Sequence, residues 1–506
     1  MRNIKILILL ILILVFYIFT FSLLFSSQRV ERYLVRIRGS REMLEILSRK
    51  NLDFASMAIK DYMDAILIDE QISQIISEGY QIEILQRESD LIGTSIDSQY
   101  HTYEETIEHL KNIEKIYPFL AKTYIIGVST QFNFPIYALK ISDNVETNEE
   151  EIAILIDGMH HAREPMGNEV CLSFIDYLLS RYGSDKKVTK WVNEYEIWVI
   201  PILNPEGYKY IVDNNLSYPW WRKNLRDNNN NGKVDPDYDG VDLNRNYDLN
   251  WNYGGSPDPS DWQYRGLYPF SEAETKAKRN LVLKKNFVIS VTYHSYGEVV
   301  LYPWSWPGSG DSAPDHQLIQ EIASEMAKRI KDEKGEGTYS YRPAYGANQS
   351  LCWMYGVEGV LEFLVELGTS FIPHGSKIKS VVNSNLEGLF YILERASGPG
   401  IKLKVMDIDT GEPICASVNV AEIDDFNYII PRITNPYTGM HVRLLQKGKY
   451  TLIISAFGYM TKKIKINIGQ QMKDINVYLQ KVEEWKKGRI IGQLMFPLIT
   501  LVRKNF

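Results

Sequence analysis

A chain of 506 residues, 45% hydrophobic and 24% charged, is long enough for several domains and at least one large core. Its net charge is −7, with acidic and basic residues interspersed rather than blocked, which excludes the basic footprint of a nucleic-acid-binding protein. Three cysteines, Cys171, Cys352 and Cys415, lie far apart without CxxC spacing, so neither a disulfide framework nor a cysteine-rich metal site is expected.

The chain opens on an apolar run, Ile6 to Phe25, preceded by Arg2 and Lys5. Its Ile, Leu, Val and Phe residues sum to about −5 to −10 kcal/mol on the insertion scale, enough to partition into a bilayer. No small-residue cleavage site follows at Ser26-Ser27-Gln28, so residues 1–28 read as a signal anchor, with a cleaved signal peptide as the alternative. Either way the body is expected outside the cytoplasm, anchored to a membrane by this segment or secreted. Residues 29–96 form a second stretch. Strands are expected at Tyr33–Ile37, Asp64–Ile68 and Tyr80–Leu85, with helices near Arg41–Arg49 and Asp69–Glu78, as in a compact split βαβ unit. Glu88–Asp97 reads as a polar connector.

From 97 to 397 apolar runs alternate with helical patterns. Buried strands are expected at Ile136–Ile141, Ile152–Ile156, Ile197–Pro201, Phe287–Thr292 and Val360–Val365, and helices at Thr102–Tyr117, Asn168–Tyr182, Glu272–Lys285, Asp315–Lys331 and Ser376–Ala396. The fold class is α/β, a mixed, centrally parallel sheet flanked by helices. At Ser397-Gly-Pro-Gly400 the pattern changes to short alternating runs separated by turns, which predicts an antiparallel β-sandwich over 398–482. The tail, 483–506, is basic and then apolar, and too short to span a bilayer.

The stretch Gly158-Met-His-His-Ala-Arg-Glu-Pro-Met-Gly167 stands where a buried strand hands over to a helix. Ligands of open α/β sheets bind outside the carboxyl ends of the strands. A catalytic zinc takes three protein ligands from histidine and carboxylate and keeps one position open. His161 and Glu164 could supply two, and His294, at the end of another strand, the third. Glu366 ends a further strand, Asp242-Leu-Asn-Arg-Asn246 gathers polar groups after a loop, and Arg222 follows two tryptophans. Each alone reads equally well as a surface or turn residue. Their recurrence at strand ends does not.

In these pieces the chain resembles the zinc metallocarboxypeptidases, the family of carboxypeptidases A, B and T. The matching segments are Gly158–Glu164, Ile200–Gly207, Trp221–Lys223, Gly240–Asn246, Phe270–Thr275, Tyr293–Tyr296, Tyr302-Pro303 and Glu366-Leu367, in the family's order across residues 98–396. The resemblance implies a zinc held by His161, Glu164 and His294, with His160 a bystander or supporting group. It implies that Asp242 orients His161, Glu366 acts as general base and acid, and Arg222 faces the oxyanion. Asn244, Arg245, Tyr345 and Arg163 would bind substrate. Tyr345 takes the place of the family's mobile tyrosine if one residue is deleted before Trp353; Tyr355 reads as scaffold. Leu301, Leu351 and Leu364 fall at pocket-wall positions and imply a hydrophobic C-terminal residue, since an apolar pocket would leave a lysine charge unpaired. Cys352 stands where many members carry Asp.

By the same resemblance, residues 29–96 look like a propeptide, removed by an activating protease, and the sandwich like a transthyretin-like module. The partners implied are peptide or protein C-termini. Two rival readings are a peptidoglycan-stem peptidase and a catalytically silent binding protein. Separately, Asp227, Asn229, Asn231 and Asp235, with Gly232 at the turn, follow calcium-loop spacing up to the ninth position, but the twelfth is Tyr238. A Ca²⁺ site and a polar turn-rich loop are both open.

Overall fold

The computed structural model describes residues 30–482, apart from 49, 51, 56–60, 148 and 306–311. The expected anchor at 6–25 and the tail at 483–506 lie outside the described residues. Among the described residues no helix is long and apolar enough to cross a membrane. The chain divides into two compact units, one running through Leu91 and one from Ile92 on.

In the first unit, β1 (Tyr33–Arg38), α1 (Arg41–Leu47), β2 (Asp53–Phe54), β3 (Tyr62–Leu67), α2 (Asp69–Ser77) and β4 (Gln81–Arg87) build an antiparallel sheet of order β2-β3-β1-β4. Period-two alternation puts Val35 and Ile37 on the buried face, and Leu44 and Leu47 of α1 are buried as well. Ser40 caps α1 by accepting from Met43 N. Across the central pair, Arg36 makes a two-pronged bond to the buried Asp64, at 2.9 and 3.0 Å.

The second unit is built on an eight-stranded sheet. Its elements are α3 (Tyr103–Ile116), β5 (Ala121–Val128), β6 (Pro135–Ile141), β7 (Ile152–Gly158), α4 (Met166–Arg181), α5 (Lys186–Glu194), β8 (Tyr195–Ile200), α6 (Pro205–Asp213), α7 (Ala273–Val282), β9 (Phe287–Ser295), β10 (Val299–Ser305), α8 (His316–Ala327), β11 (Ser340–Tyr345), α9 (Ser350–Trp353), β12 (Leu361–Leu367) and α10 (Ile378–Ala396). The strand order is β11-β10-β12-β9-β7-β8-β6-β5. The central strands β12, β9, β7 and β8 are parallel, while β10 against β12 and the β8-β6-β5 edge are antiparallel. Every residue of β7, β9 and β12 is buried, as both faces of a covered parallel sheet require. Cys171 and Cys352 are buried free thiols, and Cys415 is a free thiol partly exposed.

The final strands, β13 (Gly400–Asp407), β14 (Ser417–Val420), β15 (Met440–Leu444), β16 (Gly448–Ser455), β17 (Lys462–Ile468) and β18 (Met472–Leu479), form two three-stranded sheets, β15-β13-β18 and β14-β16-β17. They close on Leu403, Val405, Val418, Leu452, Ile454 and Val477. An antiparallel sandwich is expected, yet β13 and β18 pair in parallel. The chain crosses from β17 in one sheet to β18 in the other, so its last strand enters beside the first in the same direction.

This sandwich is fastened to the α/β body. Arg443 on β15 bonds Asp424 at 2.7 Å and Asp315, just before α8, at 3.1 Å, and Tyr355 donates to Asp315 at 2.8 Å. Arg432 donates to Gly356 O at 3.1 Å. Burial alone would raise the Asp424 carboxyl, but Arg443 overrides it and holds it below its ordinary value of 3.8. The contribution of this pair is therefore present above that pH and lost as acid titrates through the depressed value. Arg443→Leu leaves two buried carboxylates uncompensated, and the expected loss in urea unfolding is about 3–5 kcal/mol. A loss below about 0.5 kcal/mol, the range of ordinary surface substitutions, would show that the contact is incidental.

Candidate metal centre

The ligand loop grows out of β7. A Cβ on Gly158 would come within 2.9 Å of the carbonyl carbon of Gly167, so the loop leaves the strand and returns to α4 through a contact that only glycine permits. Between them Met159 adopts φ 57°, a left-handed conformation that turns the chain. Backbone bonds from Leu203 N to Gly158 O, Asn204 N to Met159 O and Ala162 N to Arg222 O pin the turn. His161 and Glu164 are thereby held just ahead of α4. His294 and Glu366 stand side by side as paired residues at the ends of β9 and β12.

His161 Nδ1 lies 2.8 Å from Glu164 Oε1 and 3.0 Å from His294 Nδ1, and His294 Nδ1 lies 3.0 Å from Glu164 Oε2. All three residues are buried. Asp242 Oδ1 faces the other ring nitrogen of His161, Nε2, at 3.3 Å, which places the ring proton there and turns the Nδ1 lone pair inward. Burial would raise Glu164, but His161 and His294 outweigh it and hold the carboxyl well below the usual range. Burial, then the neighbouring His161, pushes His294 down to about 4. A metal ion needs both imidazole nitrogens and the carboxylate in their deprotonated form, and the shifts of His294 and Glu164 favour it. Two imidazole nitrogens and a carboxylate, fully enclosed, fit zinc.

Charged side chains surround this cluster. Arg222 donates through Nε to Asp242 Oδ2 at 2.9 Å, and its Nη1 lies 3.1 Å from His161 Nδ1 and 3.8 Å from Glu164 Oε1. Burial, reinforced by the charge of Glu164, pushes the Glu366 carboxyl well above the usual range, against the pull of Arg222, Arg342 and Arg163. Asn244 and Arg245 follow Asp242 directly. Asn244 accepts from Ser350 N at 2.9 Å, and Arg245 is held by Gln263 at 3.1 Å and by Asn244 O at 2.9 Å. Arg163 is wholly buried, donates to Trp220 O at 3.1 Å and lies 4.2 Å over the Phe371 ring. Leu301 and Leu364 are buried partners on β10 and β12, and Leu351 is buried in α9. Tyr345 is the last residue of β11, the strand at the sheet edge.

His160 points away from the ligand cluster. Its Nε2 is 2.8 Å from the Tyr247 hydroxyl and its Nδ1 3.3 Å from Thr292 Oγ1, and its ring stacks on His294 with centroids 5.3 Å apart. It belongs to a buried ionic network that sequence reasoning missed. Lys278 on α7 bonds Asp157 at 2.7 Å and Glu362 at 2.8 Å, and Ser290 donates to Glu362 and Thr292 to Asp157. Burial lowers the Lys278 pKa, but Asp157 and Glu362 outweigh it and hold it well above its ordinary value. The available signal was the isolated charge inside apolar runs, Asp157 after Ile152–Ile156 and Glu362 within Leu361–Val365.

The asparagine-rich loop lies apart from this group. Both Asp227 oxygens accept backbone N–H groups, from Asn231 and Gly232, and Asn229 and Asn231 accept from Asn231 N and Lys233 N. The Asn229 and Asn231 amides in turn donate to Asp235 at 2.9 and 2.7 Å. The oxygens a Ca²⁺ ion would use are engaged inside the loop, in Asx-turn fashion.

Two histidines and a glutamate at the carboxyl ends of a parallel sheet define a metal-dependent enzyme. Residues 106–388 match the family model described as zinc carboxypeptidase, peptidase family M14, and the chain belongs to that family. Among its relatives, mast cell carboxypeptidase A of Homo sapiens is 27% identical over 403 residues, covering 73% of this chain and 93% of the relative. Carboxypeptidase B2 of Rattus norvegicus is 31% identical over 289 residues, covering 54% of this chain and 64% of the relative. In fold, the chain is similar to the crystal structure of thrombin activatable fibrinolysis inhibitor, with TM-score 0.59, 22% identity and coverage of 72% of this chain and 99% of that one. It is likewise similar to carboxypeptidase A from Helicoverpa armigera, with TM-score 0.60, 18% identity and coverage of 73% and 98%.

The purified chain is expected to carry one zinc per molecule by elemental analysis. His294→Ala should lower that content or weaken zinc binding by at least about 10- to 100-fold, the loss typical of a change in a metal's outer shell alone. Unchanged zinc affinity in the variant would show that the metal sits elsewhere.

Proposed function

We propose that this metallocarboxypeptidase removes single residues from peptide and protein C-termini, with His161, Glu164 and His294 as zinc ligands and Glu366 as general base and acid. The observation that carries this reading is the convergence of two imidazole nitrogens and a carboxylate within 3.0 Å of one another, beside a carboxyl group pushed well above its ordinary range. Zinc held there would polarise the scissile carbonyl and lower the pKa of water from 15.7 to about 7. Glu366 takes a proton from the attacking water and delivers it to the leaving amide nitrogen. Asp242 holds the His161 tautomer, and Arg222, tied to Asp242 beside the ligands, faces the developing oxyanion. Asn244 and Arg245 clamp the substrate's free carboxylate, since a guanidinium binds a carboxylate through two parallel bonds. Tyr345 closes over the bound residue, and Arg163 lines the approach.

Leu301, Leu351 and Leu364 receive the aliphatic part of the C-terminal side chain, and their apolar surface disfavours a lysine or arginine charge. The separate compactness of the N-terminal unit supports its reading as a propeptide released by an activating protease between Arg87 and Asp97. The six-stranded C-terminal sandwich is an accessory transthyretin-like module. The relatives are consistent with action outside the cytoplasm, whether the chain is secreted or held at a membrane.

On blocked dipeptides, Glu366→Gln should lower kcat by about 10²–10⁴-fold while zinc content is retained. Arg222→Met should cost about 2.7–4 kcal/mol of transition-state stabilisation. Wild-type activity in Glu366→Gln would remove the carboxyl from the mechanism. Phe- or Leu-terminated substrates should surpass Lys-terminated ones in kcat/KM, and the opposite order would contradict the leucine pocket. Proteolytic release of the first unit should raise activity. Equal activity before and after cleavage would end the propeptide reading.

A further inference from the structure

Among the described residues, Arg342 is a cationic side chain acting on Glu366 for which the expected machinery has no use. It lies on β11, directly paired with Leu301 on β10, and Leu301 is paired with Leu364 on β12. Directly opposed residues share a sheet face, as do residues two apart on one strand. Arg342, Leu301, Leu364 and Glu366 therefore line one strip, with the arginine on the outermost strand and the carboxyl group two strands inward. The two strands lie about 9–10 Å apart, two interstrand spacings, and Glu366 sits two residues further along β12 than Leu364.

The side chain is only partly exposed, and its Nε is shielded from water without a hydrogen-bond partner among the described residues. The other arginines of the cleft are engaged. Arg222 is bound by Asp242, Arg245 by Gln263 and Asn244, and Arg163 by the Trp220 carbonyl. Burial pulls Arg342 down to about 10 and Glu366 opposes that pull from a distance, so it is a cation at neutral pH. A shielded guanidinium donor with no acceptor is costly unless a ligand completes it. The group that matches its planar fork is a carboxylate.

We propose that Arg342 reads the tip of the substrate's C-terminal side chain and selects an anionic one, glutamate above all. The inference rests on the carboxypeptidase reading of this cleft and names its substrate class. Leu301 and Leu364 pack the methylenes of the glutamyl side chain, and the guanidinium receives its carboxylate. The substrate's own α-carboxylate is left to Asn244 and Arg245. Aspartate, one methylene shorter, reaches Arg342 less well. Lysine meets both an apolar wall and a like charge.

The test compares kcat/KM on blocked dipeptides ending in Glu and in its neutral isostere Gln, with Leu as a third substrate. The processed chain is expected to favour Glu over Gln by about tenfold or more, because a site that bonds a polar group rejects the analogue lacking it. Arg342→Gln should bring that ratio close to one. Arg342→Lys, which keeps the charge but not the fork, should retain part of it. Each ratio is taken within a single variant, so a loss in folded fraction cancels. Equal use of Glu and Gln by the unaltered chain, or a ratio unchanged in Arg342→Gln, overturns the role of Arg342 and leaves the carboxypeptidase reading intact. Release of no C-terminal residue from any of the three overturns both.

Discussion

Two imidazole nitrogens 3.0 Å apart, each also within 3.0 Å of a carboxylate oxygen, form a set of ligand atoms that a single cation can join. Much of the surrounding fold serves to hold that cluster closed. Gly158 and Gly167 let the loop turn back on itself, Pro165 opens the helix behind it, and Asp242 fixes which nitrogen of His161 is free. The central strands bring His294 and Glu366 to the same height by parallel pairing. No one of these segments makes a site, because the donors come from strands that are adjacent in space and well over a hundred residues apart in sequence.

Beneath the ligands lies a second charged layer. Lys278, Asp157 and Glu362 are fully buried and paired through Lys278, with His160 bridging the layer to the His294 ring. A buried ionic triad is rarely the cheapest way to fill a core, since desolvation offsets most of the attraction. Its effect is orientation. It fixes the rotamers of residues on β7, β9 and β12 that share a face with His294 and Glu366. The sandwich shows the same economy at its boundary, where Arg443 ties Asp424 to Asp315 across the junction of two sheets and a helix.

Much of this was legible in the residues themselves. The apolar runs at Ile152–Ile156, Phe287–Thr292 and Val360–Val365 lie within or overlap β7, β9 and β12, because a strand covered on both faces leaves an unbroken hydrophobic signature. The six short runs after Ser397 each fall on a strand of the sandwich, whose turns carry the glycines. Less visible were features set by tertiary pairing. The parallel junction of β13 with β18 follows from which sheet the chain enters last, something no local pattern encodes. Lys278 lies on α7, and only tertiary packing brings it to Asp157 on β7 and Glu362 on β12. Arg342 was hidden for the same reason, since only the β10–β11 register reveals that it faces the leucines.

The central claim is that the metal sits among His161, Glu164 and His294 rather than at any other group of potential ligands. Among the described residues a second such group exists, Asp143, Glu149 and Glu151, and it is partly exposed. An anomalous-difference map recorded on crystals of the purified chain at the zinc edge separates the two. The account predicts one strong peak bounded by His161 Nδ1, His294 Nδ1 and the Glu164 carboxylate. A peak at the acidic group, or beside His160, with none at the cluster would contradict it.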